Sequence, residues 1–208
     1  MDILSWFVAI PVLTVMAILF AKDLKQTRII SAVGMSAQLG LTAWLVFSYL
    51  AERAAGNAAA WLFKYDVTWF SSLNIHYTVG VDGISVAMIA LTSVVIFAGV
   101  FASWRTDYLP REFFISLILL SSGVFGFFIS LDLFTMFLFY EIAVIPMYLL
   151  IGIWGTGPKE YFAMKLTLML MGGSALIMVG LLGIYFNSAP AGQQLTFNLN
   201  EIAANGIP

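Results

Sequence analysis

Charged residues divide this sequence into long apolar blocks. Four blocks of 19 to 23 residues contain no Asp, Glu, Lys or Arg, at 3–21, 29–51, 83–104 and 113–131. A helix of about 20 residues rises roughly 30 Å, which is the thickness of a bilayer's hydrocarbon core. Two further blocks carry ionisable residues: 133–154 contains Glu141, and 158–186 contains Lys159 and Glu160 at its start and Lys165 within. The pattern predicts six membrane-spanning helices.

The stretch 113–154 is too long for one span, since its 42 residues would reach about 63 Å as a helix. We predict a break at 130–132, with Asp132 as the N-cap of helix five, because an aspartate at that position accepts the free backbone N–H groups of the first turn. Asp82 precedes helix three in the same way. An N-cap is the expected role of Asp82, and the alternative is a carboxylate serving water at the membrane edge.

The connection 52–82 between helices two and three is too long for a turn. Apolar and polar residues alternate over 61–69 and again over 73–79, on either side of Ser71 and Ser72. This period of two predicts a β-hairpin, whose aromatic residues suit the membrane interface or a partner on the outer surface. The organisation is therefore two helices in 1–51, a periplasmic hairpin in 52–82, helices three to six in 83–186 and a periplasmic tail in 187–208.

Composition supports a membrane protein. Of the 208 residues, 62% are hydrophobic and 10% are charged, and the mean hydropathy is +0.98. Soluble domains carry about 25% charged residues. A soluble enzyme, a disordered chain and a nucleic-acid binder are therefore excluded. The absence of cysteine excludes disulfides and thiolate-bound metal or iron–sulfur centres, and a single histidine argues against haem.

Basic residues predict the orientation. Six of them lie in the odd-numbered connections and two in the others, so the positive-inside bias places the odd-numbered connections in the cytoplasm and both termini in the periplasm. The six are Lys22, Lys25, Arg28, Arg105, Arg111 and Lys159, and the two are Arg53 and Lys64. A secretory signal peptide is the alternative interpretation of the first block. No basic residue precedes that block, it is too long, and Pro11 lies inside it.

Glu141 is the main candidate for chemistry. It lies nine residues, about 13 Å, beyond Asp132, and an ionised carboxylate at that depth must be paired, protonated or in contact with water. Pro146 leaves the carbonyl of Ile142 without its helical donor, which invites water or a polar side chain. Tyr148 lies on the same helix face and extends a polar track. The alternative is a Glu141 that stays protonated in a hydrogen bond to another helix.

Lys165 is the second candidate. It lies about 10 Å into helix six, whereas Glu141 lies about 20 Å from the same side. The offset favours a water-mediated link over direct contact. The alternative is that Lys165 snorkels to the cytoplasmic interface.

Other polar and small residues have structural interpretations. His76 is expected to be a surface or hydrogen-bonded histidine of the hairpin. Small residues at 121–126 and 172–175 are expected to let helices approach closely.

Several motifs together resemble subunit M of proton-pumping NADH:quinone oxidoreductase, which is the antiporter-like subunit of respiratory complex I called chain 4 in mitochondria. The resemblance covers about 74–182. Its motifs are Val81-Asp82-Gly83-Ile84-Ser85, Asp132-Leu133-Phe134, Phe139-Tyr140-Glu141-Ile142, Ile145-Pro146-Met147-Tyr148 and Ile153-Trp154-Gly155.

The resemblance implies an all-α polytopic fold of about fourteen helices with two inverted repeats. It implies that Glu141 is the essential carboxylate of helix five and that Lys165 is the helix-six lysine, in a relay that makes and breaks Glu–Lys pairs. It also implies that NADH, FMN, iron–sulfur clusters and quinone are bound by other subunits, and that this chain binds no cofactor or metal. The expected partners are neighbouring membrane subunits and the lipid of the cell inner membrane, rather than a mitochondrial or thylakoid membrane.

The sequence departs from the family in one respect. Family members continue for several hundred residues, so the helix-seven lysine that pairs with the helix-five glutamate, and the second repeat, are absent here. We therefore expect a fragment, or a second chain that supplies the rest. The alternative functions are a subunit of a multisubunit cation/proton antiporter or membrane-bound hydrogenase, and a membrane scaffold that does not pump.

The predicted topology can be tested by labelling single cysteines introduced at Gln26 and Gln193. Six spans place these residues on opposite sides of the membrane, so a membrane-impermeant thiol reagent added to intact cells should label only the Gln193 position. Labelling of both positions from one side would contradict the six-helix topology.

Overall fold

Six long helices form the body of the protein in the computed structural model, which describes residues 3–71, 74–189 and 195–205. A 3-10 turn at Ile3–Ser5 leads into the first helix. The helices are α1 (Trp6–Phe20), α2 (Leu24–Ala54), α3 (Gly83–Ala102), α4 (Pro110–Ile129), α5 (Leu133–Trp154) and α6 (Lys159–Phe186). The predicted all-α membrane fold with six spans is confirmed, because each of these helices is long and apolar enough to cross a bilayer.

The second helix is longer than its apolar block. It starts at Leu24 and runs for 31 residues, about 46 Å, so it includes the charged residues on both sides of the neutral stretch. Near its far end, the guanidinium of Arg53 donates to the Tyr49 hydroxyl (3.0 Å) and lies over the Tyr49 ring. This helix therefore extends beyond the hydrocarbon core towards the hairpin.

The predicted hairpin is confirmed. Strands β1 (Leu62–Phe70) and β2 (Ile75–Val81) pair antiparallel, with Leu62 opposite Val81 and Val67 opposite Tyr77. β1 is exposed over most of its length, whereas β2 is buried from Thr78 to Val81, where simple alternation stops. The reason is that β2 has a second neighbour, because the backbone of Leu131 donates to the carbonyl of Thr78 (2.7 Å).

The predicted break at 130–132 is also confirmed, and three segments meet there. Val79 of β2 forms a bridge with Ser130, and Asp132 forms a bridge with Asn198. Beyond Asn198 lies a short helix, α7 (Leu199–Asn205), which the sequence did not predict and which is too short to span a membrane. Its Ile202 packs with Phe197 against α5, α6 and β2, in a cluster with Ile75, Leu133 and Leu181.

Helices α1 to α4 enclose two apolar clusters at different levels. The hairpin-side cluster lies nearest the β-strands and contains Leu4, Phe7, Leu45, Val79, Val81, Val86, Ile89, Phe125 and Ile129. The distal cluster lies towards the other ends of the helices and contains Ile18, Met35, Ile96, Val100, Phe114 and Ile118.

Glycines let α4 and α5 approach closely. A β-carbon at Gly123 would lie 2.9 Å from both the backbone oxygen of Phe139 and the β-carbon of Ala143. A β-carbon at Gly126 would overlap the ring of Phe139. The predicted small face is therefore confirmed on α4. On α6 it stays a prediction, because no atom of the described chain lies within 4 Å of the position that a β-carbon would take at Gly172 or Gly173.

Replacing Gly123 with alanine should destabilise the packing of α4 on α5. The added methyl group meets backbone atoms that cannot rotate away, and such overpacking costs about 1–3 kcal/mol. Thermal unfolding of the purified chain in detergent should show a lower midpoint for Gly123→Ala.

Gly172→Ala is the matched control, because the same change in an open helix position gains up to about 1 kcal/mol of helix propensity. Equal midpoints for the two variants would contradict the close approach of α4 and α5.

Candidate functional site

The start of α5 is fixed by the side chain of Asp132, as predicted. Its Oδ1 accepts hydrogen bonds from the backbone N–H groups of Phe134 and Thr135, both at 3.0 Å, and its Oδ2 accepts one from the N–H of His76 at 3.4 Å. The residue is fully buried. Burial raises the pKa of the Asp132 carboxyl above its ordinary value, even though the three backbone donors favour its charged form.

Glu141 lies nine residues beyond this cap, two and a half turns into α5. Its side chain is half-buried, and its Oε1 is buried without a hydrogen-bond partner among residues 3–71, 74–189 and 195–205. An unpaired carboxylate oxygen inside a membrane protein is energetically costly unless it is protonated or reached by water. The structure thus places Glu141 in the middle part of α5, with no hydrogen-bond partner for Oε1 in the described chain.

A groove of about 370 Å³ runs between α5 and α6 beside this carboxyl group. Its polar lining comes from Glu141, Tyr148 and Thr167, and its apolar lining includes Ile145 and Met171. The predicted shared face of Glu141 and Tyr148 is therefore present. Thr167 was missed by the sequence analysis, because a threonine in an apolar helix is common and only the packing of α6 on α5 brings it here.

Pro146 shapes the same part of α5 from within the helix. Its side chain is buried, and its lack of an N–H leaves the carbonyl of Ile142 without a helical hydrogen bond. Ile142 also lines the groove. A free backbone acceptor therefore lies one residue from Glu141 along the groove wall.

Lys165 lies apart from Glu141. It is exposed on α6, its Nζ is 5.8 Å from the centroid of the Tyr161 ring, and it lines a different shallow groove with Met164, Leu168 and Met169. Within residues 3–71, 74–189 and 195–205, Glu141 and Lys165 do not form an ion pair. The side chain of Lys165 is therefore not brought to the carboxyl group by this part of the chain.

Asp82 lies at the start of α3 and acts as its N-cap. Its Oδ1 accepts a hydrogen bond from the backbone N–H of Ser85 at 2.7 Å. This contact is local to α3, and Asp82 is not among the residues that line the Glu141 groove.

A polar network that the sequence did not predict joins the hairpin to the 130–132 junction. Nδ1 of His76 lies 2.7 Å from Oδ1 of Asp66, and its Nε2 lies 3.0 Å from Oδ1 of Asn74, so His76 is hydrogen-bonded as expected. Thr78 donates to the other oxygen of Asp66 (3.1 Å) and accepts from Asn198 (3.3 Å). No sequence spacing points to the whole network, because its members come from three separate segments: β1, residues 74–78 and Asn198.

Comparisons with known proteins find similar membrane subunits. Residues 130–206 match the family described as "NADH:quinone oxidoreductase/Mrp antiporter, TM". The chain is 29% identical over 209 residues to NAD(P)H-quinone oxidoreductase chain 4-2 of Synechocystis sp., covering 98% of this chain and 36% of that protein. It is 29% identical over 207 residues to NADH-quinone oxidoreductase subunit M of Pseudomonas aeruginosa, covering 94% of this chain and 41% of that protein.

The fold is similar to that of a chain in the structure of respiratory complex I from Thermus thermophilus with bound NADH. The TM-score is 0.80 at 19% identity, and the match covers 99% of this chain and 40% of that chain. The sequence thus spans about two fifths of the length of the proteins that it matches.

Proposed function

We propose that this chain, which belongs to the family of subunit M and chain 4 of NADH:quinone oxidoreductase, carries part of a proton pathway across the membrane in an assembled respiratory complex. Electron transfer from NADH to quinone takes place elsewhere in that complex and drives the proton movement. The chain itself is an antiporter-like membrane subunit, and it acts as a non-redox part of the enzyme.

The observation that carries the proposal is the environment of the Glu141 carboxyl group. Its buried Oε1 has no hydrogen-bond partner in the described chain, and the groove beside it offers a phenol, a hydroxyl and a free backbone carbonyl. A carboxyl group inside a membrane protein is normally protonated, paired with a cation or in contact with water. We infer that Glu141 is a proton carrier that this groove makes accessible.

Lys165 acts in the same relay at a distance. Since it lies on the α6 surface and not in the Glu141 groove, its ammonium group affects the pathway through water rather than by a direct ion pair. The resemblance implies that the direct cationic partner of Glu141 is a lysine of helix seven, which is not in this sequence. Tyr148 contributes a hydroxyl to the groove and Pro146 frees the carbonyl of Ile142 beside it. Asp82 supports the fold of the subunit by capping α3, away from the groove.

The remaining parts of the proposal concern the assembly. NADH, FMN, iron–sulfur clusters and quinone are held by other subunits, and neighbouring membrane subunits cover the sides of this chain that face away from α1 to α4. The chain lies in a cell inner membrane, with the hairpin and both termini on the periplasmic side.

A second candidate is a subunit of a cation/proton antiporter or a membrane-bound hydrogenase. The matched family description includes Mrp antiporters, which supports this alternative. The amino-acid sequence of α5 from Tyr140 to Tyr148 favours a subunit of complex I. A membrane scaffold in which Glu141 only makes a structural contact is a third possibility, and the next experiment separates it from both transport functions.

Replacing Glu141 with glutamine in the assembled complex should abolish most proton translocation. The amide has nearly the same shape but does not exchange a proton, so assembly should persist. The measurement is proton uptake into inverted membrane vesicles, with the amount of assembled complex determined on the same sample.

Glu160→Gln is the matched control, because Glu160 is an exposed carboxylate at the start of α6. Its proton uptake should remain close to that of the wild type. Near-normal uptake by Glu141→Gln would reject the proton-carrier role and leave the scaffold.

Replacing Lys165 with alanine should slow turnover less severely than Glu141→Gln. The reason is that Lys165 is exposed and influences the groove only through water. Turnover is measured as NADH oxidation coupled to quinone reduction, with Lys159→Ala as the control for loss of a positive charge near the helix start. An unchanged rate in Lys165→Ala would assign Lys165 to the membrane interface.

A further inference from the structure

The bundle of α1 to α4 contains a layer of buried polar side chains within the membrane. We define the polar layer as Thr14, Gln38, Ser93 and Ser121, with one residue from each helix. All four are buried. Each lies three or four residues along its helix from a member of the distal cluster, which is one helical turn. These members are Ile18, Met35, Ile96 and Ile118.

The layer lies between the two apolar clusters. On the other side of the layer from the distal cluster, each helix contributes a residue to the hairpin-side cluster. These residues are Phe7, Leu45, Ile89 and Phe125. Because the distal residues contact one another, the side chains one turn away in the same direction lie at one level. The polar layer therefore lies between the hairpin-side and distal clusters along the helix axes.

Two members of the layer donate their hydroxyl protons to backbone carbonyl groups of their own helices. Thr14 donates to the carbonyl of Ile10 at 2.7 Å, and Ser121 donates to that of Ile118 at 2.6 Å. The amide nitrogen of Gln38 donates to the carbonyl of Phe7 at 3.3 Å. This last contact fixes the orientation of the amide, since the opposite orientation would set two acceptors against each other.

Two polar atoms of the layer have no hydrogen-bond partner in the part of the chain that the structure describes. They are Oε1 of Gln38 and Oγ of Ser93, which belong to residues that are 1% and 2% exposed. A buried polar group without a partner costs about 1–3 kcal/mol. Buried groups left unsatisfied by protein are normally bridged by internal water, which donates two hydrogen bonds and accepts two.

We propose that the polar layer binds internal water, which donates to Gln38 Oε1 and exchanges a hydrogen bond with Ser93 Oγ. Gln38 lies on α2 and Ser93 on α3, so this water would bridge these two helices. At Gly34, one turn from Gln38, a β-carbon would overlap the hydroxyl of Thr14, so α1 and α2 are in close contact at this level. This site is separate from the Glu141 groove and does not depend on the proton-carrier role.

Radiolytic hydroxyl labelling of the assembled complex tests the site. Met35 is 2% exposed and lies one turn from Gln38, so radicals formed in bulk solvent do not reach it, whereas a water held in the layer does. Mass spectrometry should find oxidised Met35 in the wild type. The double variant Gln38→Leu, Ser93→Ala should reduce that oxidation several-fold.

Thr42→Val is the matched control, because Thr42 is a buried hydroxyl one turn from Gln38 that is satisfied by its own helix at 2.9 Å. It should leave the oxidation of Met35 unchanged. Absence of oxidised Met35 in the wild type, or equal oxidation in the double variant, would overturn the proposal.

A high-resolution cryo-electron microscopy map of the wild-type complex provides a check that needs no variant. Density for a water within hydrogen-bond distance of both Gln38 Oε1 and Ser93 Oγ is expected. A direct bond between the two side chains, or apolar contact in place of that density, would refute the water site.

Discussion

The buried carboxylate of Asp132 holds together the segments that determine where α5 begins. It accepts the first free N–H groups of α5 and, in addition, the backbone N–H of His76 in β2. A chain that turns back into a membrane must satisfy every backbone group at the turn, because lipid offers no donors or acceptors. Since Glu141 follows Asp132 by a fixed number of helical residues, the depth of the candidate proton carrier depends on this cap.

Much of the fold follows from the sequence, because the bilayer imposes a length on each apolar block. The six spans, the cap at Asp132 and the hairpin were predicted from periodicity and from the placement of charges. The network of Asp66, Thr78 and Asn198 was not, since it joins segments that are far apart in the chain and gives no local pattern. The short helix α7 was missed for the same reason, because its apolar residues pack against α5, α6 and β2 and not within a span.

The candidate site was predictable in its residues but not in its neighbours. A lone glutamate in an apolar helix is conspicuous, and its shared face with Tyr148 follows from helical geometry. The separation of Lys165 from the Glu141 groove and the position of Thr167 in that groove depend on how α6 is rotated against α5.

The Glu141 groove and the polar layer of α1 to α4 differ in how far protein covers them. The four side chains of the layer in α1 to α4 are buried by protein. In contrast, Glu141 is half-buried beside an open groove and Lys165 is exposed.

The neutral stretch of α2 is longer than that of its neighbour α1. The neutral stretch of α2 at 29–51 measures about 34 Å, whereas the spanning stretch of α1 at 3–20 measures about 27 Å. Adjacent helices of unequal apolar length create a hydrophobic mismatch, which a bilayer relieves by tilting the longer helix or by thickening beside it. A bilayer whose thickness matches α1 therefore leaves part of the neutral stretch of α2 outside its hydrocarbon core unless α2 tilts.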